Sequence, residues 1–236
     1  MGTGKPPKIS VILPAYNESL TIGNVISDLI RSLGRIGLPY EIIVVDDGSV
    51  DLTGEIAREV GARVISLPHN RGKGYALRKG FDEASGDLIV TMDADGVHDP
   101  SEIKELIEPL MKGADIVAGS RFLKEFARPR SLSLLNRIGN FLFNVSVSFL
   151  ANRRISDVVT SYRAYKADIL KNLELQSDGF EIEIEITMRA LKTRGLNYLE
   201  IPIRIQPRRY YVARTRFLRD FFRIFKTIWG SANVRR

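Results

Sequence analysis

The sequence predicts an α/β domain built on a mostly parallel sheet, and three observations predict it. Short apolar runs alternate with stretches of helical period over the first 120 residues. The runs are apolar throughout rather than polar at every second position, as strands covered on both faces are. Acidic clusters stand just after three of them, which is where open parallel sheets bind their ligands.

Taken in order, Ile9 to Leu13 is the first strand. A helix follows, with its apolar stripe on Ile22, Val25, Ile26, Leu29, Ile30 and Leu33. Ile42 to Val45 is a second strand that ends in Asp46-Asp47-Gly48-Ser49. Asp51 to Val60 reads as a helix, Arg63 to Ser66 as a strand, Tyr75 to Ala84 as a helix and Leu88 to Met92 as a strand. Ser101 to Met111 and Ile116 to Ala118 repeat the rhythm. Ile138 to Ala151, interrupted by Asn140, Asn144, Ser146 and Ser148, reads as a buried or interfacial helix. It falls short of the ~20 apolar residues that a bilayer span requires. Glu181 to Ile186 alternates as a strand would, but Met188 to Lys192 continues it as good helix, and a helix from near Glu181 is expected. Tyr198 to Ile205 is a strand, and Pro202 places it at a sheet edge.

Composition narrows the chemistry. The 236 residues are 44% hydrophobic, enough for one sizeable core, and contain no cysteine. Disulfides, zinc thiolates and thiol nucleophiles are thereby excluded. The first residues carry no apolar signal core, so no secretory leader is expected. The net charge of +7 is concentrated late: from Ile201 to Arg236 ten Lys or Arg face one acid, Asp220. The rest is near neutral. Such a tail suits an anionic partner, either a membrane or a nucleic acid. Three intact acidic clusters at strand ends speak against a pure nucleic-acid binder.

Those clusters are Tyr16-Asn17-Glu18, Asp46-Asp47 and Asp93-Ala94-Asp95. Two carboxylates one residue apart offer hard oxygens to Mg²⁺ or Mn²⁺, with diphosphate oxygens to complete the shell. Asp-x-Asp-Gly also makes turns and caps helices, and both uses are open at this level. Arg71-Gly72-Lys73-Gly74 has neither the spacing nor the Ser or Thr of a P-loop.

Val11-Ile12-Leu13-Pro14-Ala15-Tyr16-Asn17-Glu18, Val44-Val45-Asp46-Asp47-Gly48-Ser49 and Met92-Asp93-Ala94-Asp95 resemble the inverting glycosyltransferases of GT-A fold. Gly119-Ser120-Arg121, Asp157-Val158-Val159-Thr160-Ser161-Tyr162-Arg163, Gly179-Phe180 with Glu185, and Glu200-Ile201-Pro202-Ile203 are similar to landmarks of the dolichyl-phosphate (polyprenyl-phosphate) mannose synthase branch. The resemblance implies a GT-A catalytic domain over residues 1–210 and a basic membrane-surface segment over 211–236. It implies a nucleotide-sugar donor, GDP-mannose before UDP-glucose, and a polyprenyl or dolichyl phosphate acceptor. It also implies a divalent metal, Mg²⁺ or Mn²⁺, and a peripheral place on the cytoplasmic face of the membrane.

Residue by residue, the resemblance assigns Pro14, Ala15, Tyr16 and Glu18 to the nucleoside and Asp46 to its base. Asp93 and Asp95 hold metal and diphosphate, with Ala94 packed beside them. Arg121 meets the acceptor phosphate, and Arg163 and Arg137 are further candidates for it. Asp157 stands near the nucleophile, where it is expected to orient the acceptor or its cationic partners rather than take a proton. Bland alternatives stand beside these: Asp47, Ser49, Thr53, Asn17 and Glu18 as helix caps, Arg163 as a structural partner of Asp157, and His98 as a solvated loop histidine. The loop from Arg208 to Arg216 is expected to close over the donor. Phe217 to Trp229 sets Phe, Leu, Ile and Trp on one helical face and Arg and Lys on the other, which suits a membrane interface.

Overall fold

The computed structural model describes residues 5–123 and 134–206, together with Arg223 and Thr227. The Arg208–Arg216 loop, nearly all of the amphipathic C-terminal segment, Arg128, Arg130 and the side chain of Arg137 lie outside the described residues.

Strands and helices alternate as the sequence predicts. β1 (Ile9–Ala15), α1 (Ile22–Ile36), β2 (Tyr40–Asp46), α2 (Thr53–Glu59), β3 (Arg63–Ser66), α3 (Lys73–Glu83) and β4 (Leu88–Thr91) form the first half. α4 (Ile103–Met111), β5 (Ile116–Ser120), α5 (Leu134–Ala151), β6 (Arg163–Lys166), α6 (Ala167–Lys171), α7 (Ile182–Lys192) and β7 (Tyr198–Pro202) complete it. The seven strands lie in the order β3-β2-β1-β4-β6-β5-β7. Among the described residues only β6 runs against the others, antiparallel to both β4 and β5. β7 is the edge strand that Pro202 calls for.

Strand residues alternate between two cores, one on each face of the sheet. Ile9, Val11 and Leu13 pack with α1, α2 and α4. Ile12, Ile43 and Val45 pack with α3, α5, α6 and α7. This two-sided burial is why β1, β2 and β4 are apolar over most of their length instead of at every second position. α7 is buried all round: Ile182, Ile184 and Ile186 enter the core while Glu183 and Glu185 are buried too. The Glu-Ile alternation is therefore helical, and its glutamates are inside because they have partners. Glu185 accepts from the Gln176 and Ser177 amides and pairs with Arg189 at 2.9 Å.

α3 lies unusually close to the sheet. A Cβ added at Gly80 would stand 2.5 Å from Ile12 Cγ2 and 3.3 Å from Val45 Cγ2. Both neighbours are β-branched and fully buried, so they have little room to turn. Gly80→Ala is expected to lower stability by about 1–2 kcal/mol despite alanine's better helix propensity, read as an earlier urea midpoint at unchanged slope.

Candidate active site

The carboxyl ends of β1, β2 and β4 lie side by side, because Ala15 pairs with Asp46 and Ile12 with Thr91 in parallel register. All three acidic clusters therefore open on one crevice. The loops after β1 and β2 are fastened together: Ser49 Oγ accepts from the Asn17 amide at 2.9 Å and Thr53 Oγ1 from the Glu18 amide at 2.7 Å. Asn17 Oδ1 returns the bond by accepting from the Val50 amide. Thr21 Oγ1 donates to the Ala94 carbonyl at 2.8 Å and so joins the start of α1 to the loop after β4.

These bonds correct the capping alternative. Ser49 and Thr53 hold the neighbouring loop, and it is Asp51 that accepts from the Thr53 amide at the start of α2. Asp51 reaches across as well, accepting from the Ser19 amide. Asp47 is buried and accepts from the Arg71 and Gly72 amides at 2.7 and 2.8 Å, which shapes the entry to α3. Burial pushes its carboxyl up, against those two amide bonds. Pro14, Tyr16 and Glu18 are half-buried at the mouth, while Ala15 and Asp46 are buried behind them. Asp46 accepts from the Ser49 amide at 3.0 Å.

Asp93 joins an ion cluster whose other two members, the buried Lys73 and Glu183, the motifs do not name. Lys73 Nζ lies 2.7 Å from Asp93 Oδ1 and 2.6 Å from Glu183 Oε1. Its side chain is 11% exposed and that of Glu183 is 3% exposed. Gly74 allows this placement. A Cβ there would run into the Ser177 carbonyl oxygen, and the Gly74 amide donates to the Asp178 carbonyl at 2.8 Å. The glycines flanking Lys73 are the available signal, since they mark close backbone approach rather than a failed P-loop.

The cluster sets the charge state of Asp93. Burial alone raises its pKa, but Lys73 and then His98 and Ser161 outweigh that and hold it at about 2. The folded value lies below the ordinary 3.8, so the stabilisation is present above that pH and is lost as pH falls toward 2. The stability gap between wild type and Asp93→Asn, measured by urea denaturation, is therefore expected to narrow as pH is lowered from about 6 to about 3.

His98 is buried at 5% exposure, which corrects the expectation of a solvated loop histidine. Its Nε2 is 3.0 Å from Ser161 Oγ, and its ring lies against Tyr162. Nδ1 is a buried nitrogen with no hydrogen-bond partner among the described residues. Burial pulls the His98 pKa down, and the ring is neutral at neutral pH.

Beside this lies a second pair. Arg121, just past β5, grips Asp157 with two parallel bonds, Nε to Oδ2 at 2.7 Å and Nη2 to Oδ1 at 2.8 Å. The Arg121 amide donates to the same carboxylate at 3.1 Å. Asp157 is fully buried, and Arg121 keeps 15% of its side chain exposed. Burial lowers the guanidinium pKa, but Asp157 and Asp93 more than restore it and the group stays cationic. Glu200 on β7 positions the pair by accepting from the Ser156 and Asp157 amides. A glutamate in the middle of an edge strand signals this role only once the strand's neighbour is known.

Arg163 requires a correction. It is fully buried and is not placed to meet a phosphate. Its nitrogens donate to the Thr160, Val158 and Glu183 carbonyls and to Thr187 Oγ1. Nor is it the ion-pair partner of Asp157, a place taken by Arg121. It is a structural arginine that ties the loop before β6 to α7.

Asp93 and Asp95 offer hard carboxylate oxygens, and two carboxylates suit a magnesium-type ion whose remaining ligands are water and substrate phosphates. Asp95 Oδ1 accepts from the Val97 amide at 3.1 Å, which orients the carboxylate at the tip of its turn. Among the described residues no third acid or histidine joins them in a metal cluster.

Comparison with known proteins agrees with this geometry. The family described as Glycosyl transferase family 2 matches residues 10–174. The glycosyltransferase AglJ of Haloferax volcanii is 33% identical over 204 residues, 86% of this chain and 64% of that protein. The dolichol-phosphate mannosyltransferase of Pyrococcus furiosus is 34% identical over 232 residues, 93% of this chain and 64% of that protein. The chain thus spans a little under two thirds of the length of both relatives. Among solved structures, glucosyl-3-phosphoglycerate synthase from Mycobacterium tuberculosis, in complex with Mn²⁺, UDP and phosphoglyceric acid, superposes with a TM-score of 0.75 at 24% identity. It covers 98% of this chain, which covers 80% of it. The shared architecture is the GT-A fold.

Proposed function

Because the chain belongs to glycosyl transferase family 2, we propose that it transfers a hexose, mannose from GDP-mannose, to a polyprenyl phosphate with inversion at the sugar. The observation that carries this is the pairing of two charged stations across one crevice. The Asp93–Asp95 turn is the station for a donor diphosphate in this reading, and Arg121, steadied by buried Asp157, is the station for an acceptor phosphate. The name of the Pyrococcus furiosus relative supports the acceptor class.

In this mechanism Pro14, Tyr16 and Glu18 receive the nucleoside and Asp46 its base. A Mg²⁺ or Mn²⁺ held by Asp93 and Asp95 would neutralise charge on the departing nucleoside diphosphate. The acceptor phosphate needs no strong base, because its second pKa is ~6 and it is already a dianion near neutrality. Its oxygen forms the new bond to the anomeric carbon as the bond from that carbon to the diphosphate oxygen breaks. Asp157 does not take a proton; it fixes Arg121, which aligns the attacking phosphate. Lys73 keeps Asp93 ionised and prearranged. The basic residues after Ile201 and the phosphate-bearing lipid support a position at a membrane surface.

Calorimetric titration with GDP and UDP, each with Mg²⁺ or Mn²⁺, tests the donor half. GDP binding in the presence of either metal, weakened about tenfold or more in Asp95→Ala, is the expected result. Preference for UDP would keep the site and change the sugar donor to UDP-glucose, and metal-independent binding unaffected by Asp95→Ala would refute the assignment.

A further inference from the structure

Phe180 stands where core packing does not explain it. It lies two residues before α7, between the buried Gly179 and Glu181, yet 41% of it is open to solvent. The backbone that carries it is fastened from several directions. The Asp178 carbonyl accepts from the Gly74 and Tyr75 amides at the start of α3, at 2.8 and 3.2 Å. Glu185 accepts from the Gln176 and Ser177 amides, and Glu181 from the Gly179 amide at 3.2 Å. A Cβ at Gly72 or Gly74 would strike the Asp178 or Ser177 carbonyl oxygen, so the loop lies directly on the entry to α3. A fixed loop thus holds a large ring out into solvent.

The ring is held beside the ion cluster. Its centre is 5.4 Å from Lys73 Nζ, and the same ammonium is 2.7 Å from Asp93 Oδ1. One ammonium therefore separates the ring from the carboxylate assigned to the donor diphosphate. A hexose hung from a diphosphate at Asp93 and Asp95 has its ring at that range. An aromatic face suits such a guest. The π cloud is negative at the face, while a pyranose face presents C–H groups made weakly positive by the oxygens on their carbons. Flat contact also takes two apolar surfaces out of water, and it orders little, because the loop is already fixed.

We propose that Phe180 is the stacking platform for the hexose of the donor. This rests on the proposed nucleotide-sugar donor and adds the surface that receives its sugar. Lys73 then serves both parts of the donor. It holds Asp93 for the diphosphate, and its contact with the ring sets the platform at a constant distance from that carboxylate. The platform reads the C–H face of a pyranose and takes no part in reading the base.

The test is calorimetric titration of each bare nucleotide against its sugar-bearing form, GDP with GDP-mannose and UDP with UDP-glucose, in the presence of Mg²⁺. Wild type is compared with Phe180→Ala, Phe180→Leu and Phe180→Trp. With the nucleotide that wild type binds, Phe180→Ala and Phe180→Leu are expected to keep their affinity for the bare form, which is also the control for folding. Their affinity for the sugar nucleotide is expected to fall about fivefold, its KM in transfer to rise by the same factor, and Phe180→Trp to stay near wild type. Leucine keeps an apolar cover on Lys73 without a π face. Wild-type affinity in Phe180→Leu would therefore show that the ring only shields the ion cluster, and would overturn the proposal. Equal weakening of bare and sugar-bearing nucleotide would overturn it too. A raised KM for polyprenyl phosphate with donor affinity unchanged would overturn it in favour of the lipid chain. Failure of wild type to bind either nucleotide would refute the donor reading itself, whereas the preceding outcomes, with nucleotide bound, refute the platform alone.

Discussion

Replacing Lys73 with Met is expected to lower the unfolding free energy by about 3–5 kcal/mol, the usual loss when one partner of a buried ion cluster is removed. The ammonium lies within 2.7 Å of both Asp93 and Glu183; its own side chain and that of Glu183 are nearly closed off from water, while that of Asp93 is 32% exposed. Without it the buried Glu183 carboxylate loses its counter-charge beside the half-buried Asp93. Glu183 shows the tension already. Burial pushes its pKa up and Asp93 adds to that, with Lys73 opposing both. In Lys73→Met one carboxyl is expected to remain protonated near neutrality. The double variant Lys73→Met/Glu183→Gln is then expected to regain a substantial part of the loss, since only Asp93 still needs a counter-charge. Chemical denaturation of the three proteins measures this. A single variant as stable as wild type would show that the cluster is not electrostatically coupled.

The largest effect on turnover is expected at the Arg121–Asp157 pair. Arg121→Lys keeps the positive charge but cannot make the two parallel bonds to Asp157, so the cation loses its fixed direction. Transfer is expected to fall about 100-fold, as it does when a positioned donor to reacting oxygens is lost. Asp157→Asn keeps the shape and removes the charge. It leaves Arg121 without its ion partner, and a comparable fall in transfer is expected together with a stability loss of about 2–5 kcal/mol. The two variants separate orientation from proton transfer. If Asp157 took a proton, the pH–rate profile of Arg121→Lys would keep the wild-type ascending limb while Asp157→Asn would lose it. The present mechanism expects neither variant to remove a limb belonging to Asp157, because the acceptor phosphate is already ionised.

Much of the sheet is legible in the sequence because burial on both faces leaves a mark that no surface element shares. β1, β2 and β4 announce themselves as largely apolar runs, and the acids at or just past their ends fall on one side of the sheet by topology alone. β6 leaves no such mark. It is four residues long, begins with Arg163 and ends with Lys166, and it is a strand because β4 and β5 lie on either side to pair with it. The buried charges are opaque for the same reason. Lys73, Glu183 and Arg163 read as surface residues by type, and only partners from distant parts of the chain make their burial tolerable. Arg163 shows the cost of assigning a motif arginine by type: its neighbours are carbonyls. His98 is inside because Ser161 and Tyr162 cover it, residues from the loop ahead of β6. α7 is separable from a strand because Met188 to Lys192 carries the helical pattern past Ile186. Why its glutamates are buried depends on the positions of Lys73, Arg189 and the amides of Gln176 and Ser177.

The central claim is that sugar is transferred to a phosphate oxygen of a polyprenyl chain. It is tested most directly by incubating the protein and Mg²⁺ or Mn²⁺ with GDP-mannose and either polyprenyl phosphate or the same polyprenol without its phosphate. Products are read by mass spectrometry, with the anomeric configuration read by NMR. The mechanism predicts a mannosyl phosphate diester of inverted configuration from the phosphorylated lipid alone, absent with Asp95→Ala. A glycoside of the free polyprenol, or retention at the sugar, would contradict it.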